Sequence, residues 1–89
     1  MKKPKELERI VKGCANHHRI SILVLLNEKP ELTLDDISTE LDMNFKTASE
    51  HVRRMAIAGL LLKRYEKNHV HHKLTNRGIS ILKFLRILE

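Results

Sequence analysis

The stretch TLDDISTELDMNFKTASEHVRRMAIAG, residues 33–59, decides the fold. Thr33 followed by Asp36 resembles a capping box with the shorter acid. Leu34, Ile37 and Leu41 then give one to two turns of amphipathic helix. Asp42-Met43-Asn44 reads as a short turn, and Asn44 is the next N-cap. From Phe45 to Ala58 the pattern is helical again. Ala48, Val52, Met55 and Ala56 make its apolar face, and Gly59 stops it. Two short helices separated by about one turn are the signature of a helix-turn-helix.

Upstream, Leu7, Ile10, Val11 and Cys14 recur at i, i+3, i+4 and i+7, one apolar stripe on a short helix. Asn16 can cap a second helix. On it Ile20, Leu23 and Val24 form one apolar face and Ile22, Leu25 and Leu26 another, so this helix is buried on most sides. Pro30 ends it. Downstream of Gly59 the period changes. Leu60, Leu62, Val70 and Leu74 suit two strands of a hairpin with Lys67-Asn68-His69 at its tip. A last helix follows from Asn76 to Leu88. Its apolar residues occupy more of the circumference than one domain core can cover.

The predicted order is α-α-α-α-β-β-α: mostly helical with a small hairpin, a winged helix-turn-helix. At 89 residues the chain makes one domain, 1–89, with terminal helices at about 5–14 and 76–88.

Composition narrows the function. Seventeen Lys and Arg against eleven Asp and Glu leave a formal charge of +6, which favours a polyanionic partner. Aromatic residues are 3% of the chain, too few for the stacking platforms that grip single strands. One cysteine excludes an internal disulfide framework. The densest early apolar stretch, Ile20 to Leu26, is far too short to cross a membrane, and the expected location is the cytoplasm. No Gly-rich phosphate loop, nucleophile elbow or catalytic carboxylate pair is present. Asp35 and Asp36 sit at a helix start, where they serve its dipole. An enzyme is not expected.

At about 100° per residue, Lys46, Ser49, Glu50 and Arg53 share a face opposite Ala48, Val52 and Met55. A major groove admits such a helix, and Lys and Arg on it reach guanine edges or phosphates. The helix start offers free N–H groups to phosphate; Asn44 and Thr47 lie there, and Thr47 and Ser49 are short donors. Glu50 either accepts from a cytosine amino group or pairs with Arg53 or Arg54. Arg64, Lys67 and His69, with Lys63 and Lys73, make the hairpin a basic wing for the flanking backbone or minor groove. Double-stranded DNA is therefore the expected partner, with helix 45–58 in the major groove and wing 61–74 beside it. The alternative is a winged-helix protein-interaction module.

The segment from Ala15 to Leu74 resembles the winged-helix domain of the arsenic-repressor (ArsR-like) family, with a secondary likeness to MarR-like regulators. The likeness is carried by Asn16-His17-His18-Arg19-Ile20-Ser21-Ile22-Leu23, by Leu34-Asp35-Asp36-Ile37-Ser38 and by Thr47-Ala48-Ser49-Glu50-His51-Val52-Arg53-Arg54-Met55. Ala58-Gly59-Leu60-Leu61 and Leu74-Thr75-Asn76-Arg77-Gly78 add to it. The resemblance implies a homodimeric transcriptional regulator paired through its first and last helices. Leu7, Ile10, Val11, Ile81, Phe84, Leu85 and Leu88 would then form the interface. It also implies that Phe45, Lys46, Ser49, Glu50 and Arg53 face DNA. Phe45 departs from the usual small or polar residue; it either packs at the core edge or meets a thymine methyl.

The family's metal sites are not matched. Where a thiolate pair is needed on the third helix, Thr33 and Asp35 stand, and the last helix holds neither Asp nor His. Two other clusters could in principle bind a metal, Cys14 with His17 and His18, and His69 with His71 and His72. Each reads more simply as structural or solvated residues, so neither a metal nor a cofactor is expected.

Overall fold

The computed structural model describes residues 1–89. The elements run α1 (Pro4–Lys12), α2 (His17–Glu28), β1 (Leu32–Thr33), α3 (Leu34–Glu40), α4 (Phe45–Ile57), β2 (Leu61–Glu66), β3 (His69–Leu74) and α5 (Asn76–Ile87). Each helix start after α1 is fixed by a side chain. The Asn16 side chain accepts from the backbone N–H groups of His18 and Arg19, and Asn44 does the same for Lys46 and Thr47. Thr33 accepts from the Asp36 N–H while the Asp36 carboxylate accepts from the Thr33 N–H, a complete capping box. Thr75 accepts from the Gly78 N–H at the start of α5.

The core is built around α2. Ile22, Leu23, Leu25 and Leu26 are all buried, so this helix is enclosed as its two apolar faces require. Ile37, Val52, Met55, Leu60, Leu61, Leu74 and Leu82 close around it. On α4 the buried residues are Ala48, Val52 and Met55, while Ala56 is only half-buried. The apolar face of that helix is therefore narrower than the sequence suggests.

The turn from α4 into β2 depends on Gly59, whose φ of +79° disfavours any side chain. Thr75 locks this turn by donating its hydroxyl to the Gly59 carbonyl at 2.6 Å, and Arg77 donates to the Ala58 carbonyl at 3.0 Å. The Ala58-Gly59-Leu60 and Leu74-to-Gly78 motifs, far apart in sequence, are two halves of one joint.

Three sequence expectations need correction. The sheet has three strands in the order β1-β3-β2, because Leu32 and Thr33 pair with His72 and His71. A two-residue strand carries no periodicity to detect. In β2 it is Leu61 that is buried, while Leu62 is 43% exposed, so the strand turns the other face inward. His69 is not at the hairpin tip: it opens β3 opposite Glu66, leaving Lys67-Asn68 as the turn, with Lys67 at φ 55°. The end helices cover Pro4–Lys12 and Asn76–Ile87, slightly shorter than expected, and Cys14 lies in the turn after α1.

Candidate nucleic-acid interface

Burial of Ala48, Val52 and Met55 fixes the rotation of α4 and forces Lys46, Glu50, Arg53 and Arg54 outward, all exposed. Ser49, beside them, is half-buried. Asn44 and Thr47 mark the helix start, with the Asn44 side-chain oxygen already accepting two backbone N–H groups there. Phe45 is 51% exposed; with Asp35 and Asp36 at the start of α3 and Lys63, Tyr65 and His69 of the hairpin, it lines an open groove between the starts of α3 and α4 and the hairpin. That groove, about 710 Å³, brings the start of the helix and the wing to one side of the molecule.

The charges on this face are organised. Glu50 accepts from Arg53 at 2.6 and 3.2 Å and from Arg54 at 2.9 Å. These bonds hold its carboxyl at about 2, far below the ordinary range, and push the Arg53 guanidinium up. Both arginines thus lie along the helix, and Lys46 is the cation on this face without an ion pair. On the wing, Arg64 binds Glu31 and Glu66 together, which lowers both carboxyls. Arg64 staples the hairpin to the segment before β1. Lys67 and His69 remain exposed.

The histidines divide by environment. His72 is buried, and its Nδ1 lies 3.1 Å from the Leu32 carbonyl, so the ring donates there. Burial pushes its pKa down despite that bond. His71 makes the equivalent contact with Glu31, while His69 sits 6.3 Å from it, ring to ring. His51 accepts from Arg19 and is also pushed down, first by burial and then by the Arg19 charge. Sequence reasoning missed Arg19, Glu31 and Tyr65; the partners of Arg19 and Glu31 lie more than thirty residues away, beyond any local pattern.

Thr33, where a thiolate would stand, uses its hydroxyl in the capping box. Cys14 is buried and donates its S–H to the Val11 carbonyl, while His17 points to solvent. No three of the Cys, His, Asp and Glu side chains are grouped so that they could hold a metal ion. No helix is long and apolar enough to cross a membrane.

A short capped helix, α3, then a turn and α4, followed by the β2–β3 hairpin whose second strand also pairs with β1, defines a winged helix-turn-helix protein. The sequence profile described as bacterial regulatory protein, arsR family, matches residues 16–63. The arsenical resistance operon repressor of Escherichia coli K12 is 34% identical over 67 residues, which are 75% of this chain and 57% of that protein. The homodimeric winged helix-turn-helix DNA-binding domain of Mb0332 from Mycobacterium bovis superposes with a TM-score of 0.84 at 25% identity, covering 94% of this chain and 78% of that one. HlyU from Vibrio cholerae gives 0.82 at 26%, covering 99% and 97%. The chain belongs to the ArsR family of bacterial regulatory proteins. It spans 57% of the length of the E. coli relative, which is named for repression and not for catalysis.

Proposed function

We propose that this chain is a homodimeric transcriptional regulator of the cytoplasm that binds double-stranded DNA by sequence. The observation that carries the reading is the orientation of α4. Its apolar side is consumed by the core, so the side bearing Lys46, Glu50 and Arg53 is presented to a partner. Lys46 and Arg53 reach guanine edges or phosphates, and the Glu50 carboxylate accepts from a cytosine amino group. Asn44 and Thr47 at the helix start, with Ser49 and Arg54 along it, position the helix on the backbone. Phe45 meets a thymine methyl. The wing, through Lys67 and His69 and with Arg64 as its anchor, follows the flanking backbone or minor groove.

Pairing is supported by Phe84, 53% exposed, Leu88, 65%, and Val11, 51%. Leu7, Ile10, Ile81 and Leu85 are half-buried, and Ile10, Ile81 and Leu85 also pack against the core, so these three serve core and seam together. A twofold pair through α1 and α5 sets two recognition helices about 34 Å apart on a pseudo-palindrome.

Selection of bound sequences from random duplex DNA tests binding, specificity and symmetry together. A dimer neutralising roughly six to ten phosphates loses about 10³–10⁵ in affinity between 50 and 200 mM salt. The K46A/R53A variant is expected to fold normally and lose specific binding. Binding that ignores salt, or survives K46A/R53A unchanged, favours a protein partner instead.

A further inference from the structure

A second groove, about 560 Å³, lies on the other side of α4, between its C-terminal half and α1. Arg9, Lys12, Arg19, Arg53 and Arg54 line it, with Ile57 at its edge. Two carboxylates answer these five cations: Glu50, shared by Arg53 and Arg54, and Glu8, 3.7 Å from Lys12. Arg9 forms no ion pair. Arg19 spends its hydrogen bonds on neutral acceptors, the His51 ring and the Lys12 carbonyl, and so keeps its full charge. This surplus is gathered by tertiary structure, because α1, the start of α2 and the end of α4 meet only in the fold.

The groove is continuous with the outward face of α4. Arg53 belongs to both, and Ile57, one turn on from it, is 73% exposed at the junction. A duplex seated on that face passes the groove on the α1 side. If α1 belongs to the dimer seam, that side faces the twofold axis. We infer that the groove seats the phosphodiester backbone between the two half-sites, a contact that adds affinity without reading bases. The inference rests on the DNA-binding reading above.

Its chemistry is that of a positioning contact. Arginine and lysine neutralise phosphate charge whatever the sequence, and each neutralised phosphate releases counterions. Contacts of this kind carry no base information by themselves. Its value lies in fixing how deeply α4 sits and in resisting dissociation.

The test uses the full chain and a duplex recovered from the random-DNA selection. The salt dependence of binding is measured for wild type, R9Q/K12Q and the charge-preserving R9K/K12R, with dimer content checked for each. R9Q/K12Q removes four cations per dimer, so the log–log salt slope is expected to become shallower by about 3 to 4. The selected base preferences should stay the same, and R9K/K12R should keep the wild-type slope. Phosphate ethylation between the half-sites should interfere with wild type and not with R9Q/K12Q. An unchanged slope in R9Q/K12Q, an equal loss in R9K/K12R, or no interference at the central phosphates overturns the groove assignment and leaves the DNA reading standing. Wild type that binds no duplex at any salt overturns both.

Discussion

Arg19 on α2 donates from Nε to Nδ1 of His51 on α4 across 3.1 Å, and the same guanidinium donates to the Lys12 carbonyl at 2.6 Å. One side chain therefore ties the end of α1 to the middle of α4. The bond also sets the imidazole's state. Nδ1 must keep a lone pair to accept, so His51 is neutral and carries its proton on Nε2. His18, 5.4 Å away ring to ring, and Arg54 surround it with further basic groups, against Glu50 as the one nearby carboxylate.

This neutrality gives the fold an acid-sensitive term. His51 and His72 both have pKa values lowered from the ordinary 6.5, each by burial first. Below that value the unfolded chain binds protons that the folded chain refuses, so stability rises with pH there. The contribution is complete above about pH 6.5 and is lost as pH falls toward the folded values. The urea midpoint is expected to drop between pH 7.5 and 5.5, more than the carboxylates account for. In H51Q the drop should be smaller, and a drop equal to wild type would clear His51 of the effect.

The helix-turn-helix was readable because its signals are local. Thr33, Asp36, Asn44 and Gly59 act within a few residues of themselves, and each does in the structure what its type implies. Leu32-Thr33 was not readable as a strand, since its pairing with β3 is non-local and too short to alternate. The inward face of β2 is equally hard to read: Leu60, Leu61 and Leu62 are alike in hydropathy, yet the fold buries Leu60 and Leu61 and leaves Leu62 43% exposed. At the candidate interface, helix periodicity placed Lys46, Glu50 and Arg53 outward, but composition alone did not show that Glu50 holds both arginines or that Arg64 is spent on Glu31 and Glu66. A charge count overstates the cations free to meet DNA.

Glu50 is the residue that rations those cations. With its carboxyl held at about 2, it stays ionised at any working pH and keeps Arg53 and Arg54 against the helix. E50Q is expected to release both guanidinium groups for phosphate. The salt slope of duplex binding should steepen by about 3 to 4 for a dimer that frees two guanidinium groups per subunit. Non-specific affinity should rise, and any cytosine preference at the contacted position should weaken. Fold stability should change little, because all three side chains are half exposed and surface pairs contribute little. A slope identical to wild type would show that the arginines reach DNA with Glu50 still bound.

The joint between α1 and α4 leaves no room at Gly13. A Cβ there would lie 2.3 Å from the Ala58 Cβ and 3.1 Å from the Ile10 carbonyl oxygen. Neither neighbour is the end of a flexible side chain, so the turn after α1 or the end of α4 must move. G13A is expected to cost about 1–3 kcal/mol, as overpacking does. For a domain of this size that is a fall in Tm of roughly 4–8 °C per kcal/mol. Ala58→Gly removes the opposing methyl, so the G13A/A58G pair should be more stable than the sum of the single changes predicts. Strict additivity in a thermal-melt cycle would place the strain elsewhere.

The exposed side of α5 carries the last prediction. Leu82 anchors this helix in the core, while Phe84, Ile87 and Leu88 stand 53%, 79% and 65% exposed, with Val11 of α1 at 51%. Monomeric proteins rarely leave apolar residues as close along one helix as Phe84, Ile87 and Leu88 open, so a second copy covering them is the economical use of this surface. F84E/L88E puts two carboxylates into that seam and into its twofold mate. Charge repulsion and unpaired burial then oppose association, whereas the monomer keeps Leu82 and every other buried residue. Sedimentation is expected to show a dimer for wild type and a monomer for F84E/L88E, with helical content unchanged by circular dichroism. DNA binding should fall with it, because one recognition helix cannot hold a two-half-site duplex, and a half-site duplex should be bound equally weakly by both. A variant that remains dimeric with unaltered DNA affinity would move the seam off α5. A variant that unfolds would mean that the faces of Phe84 and Leu88 already serve the monomer, and Val11→Glu, on a helix with no buried residue, then repeats the test without touching α5.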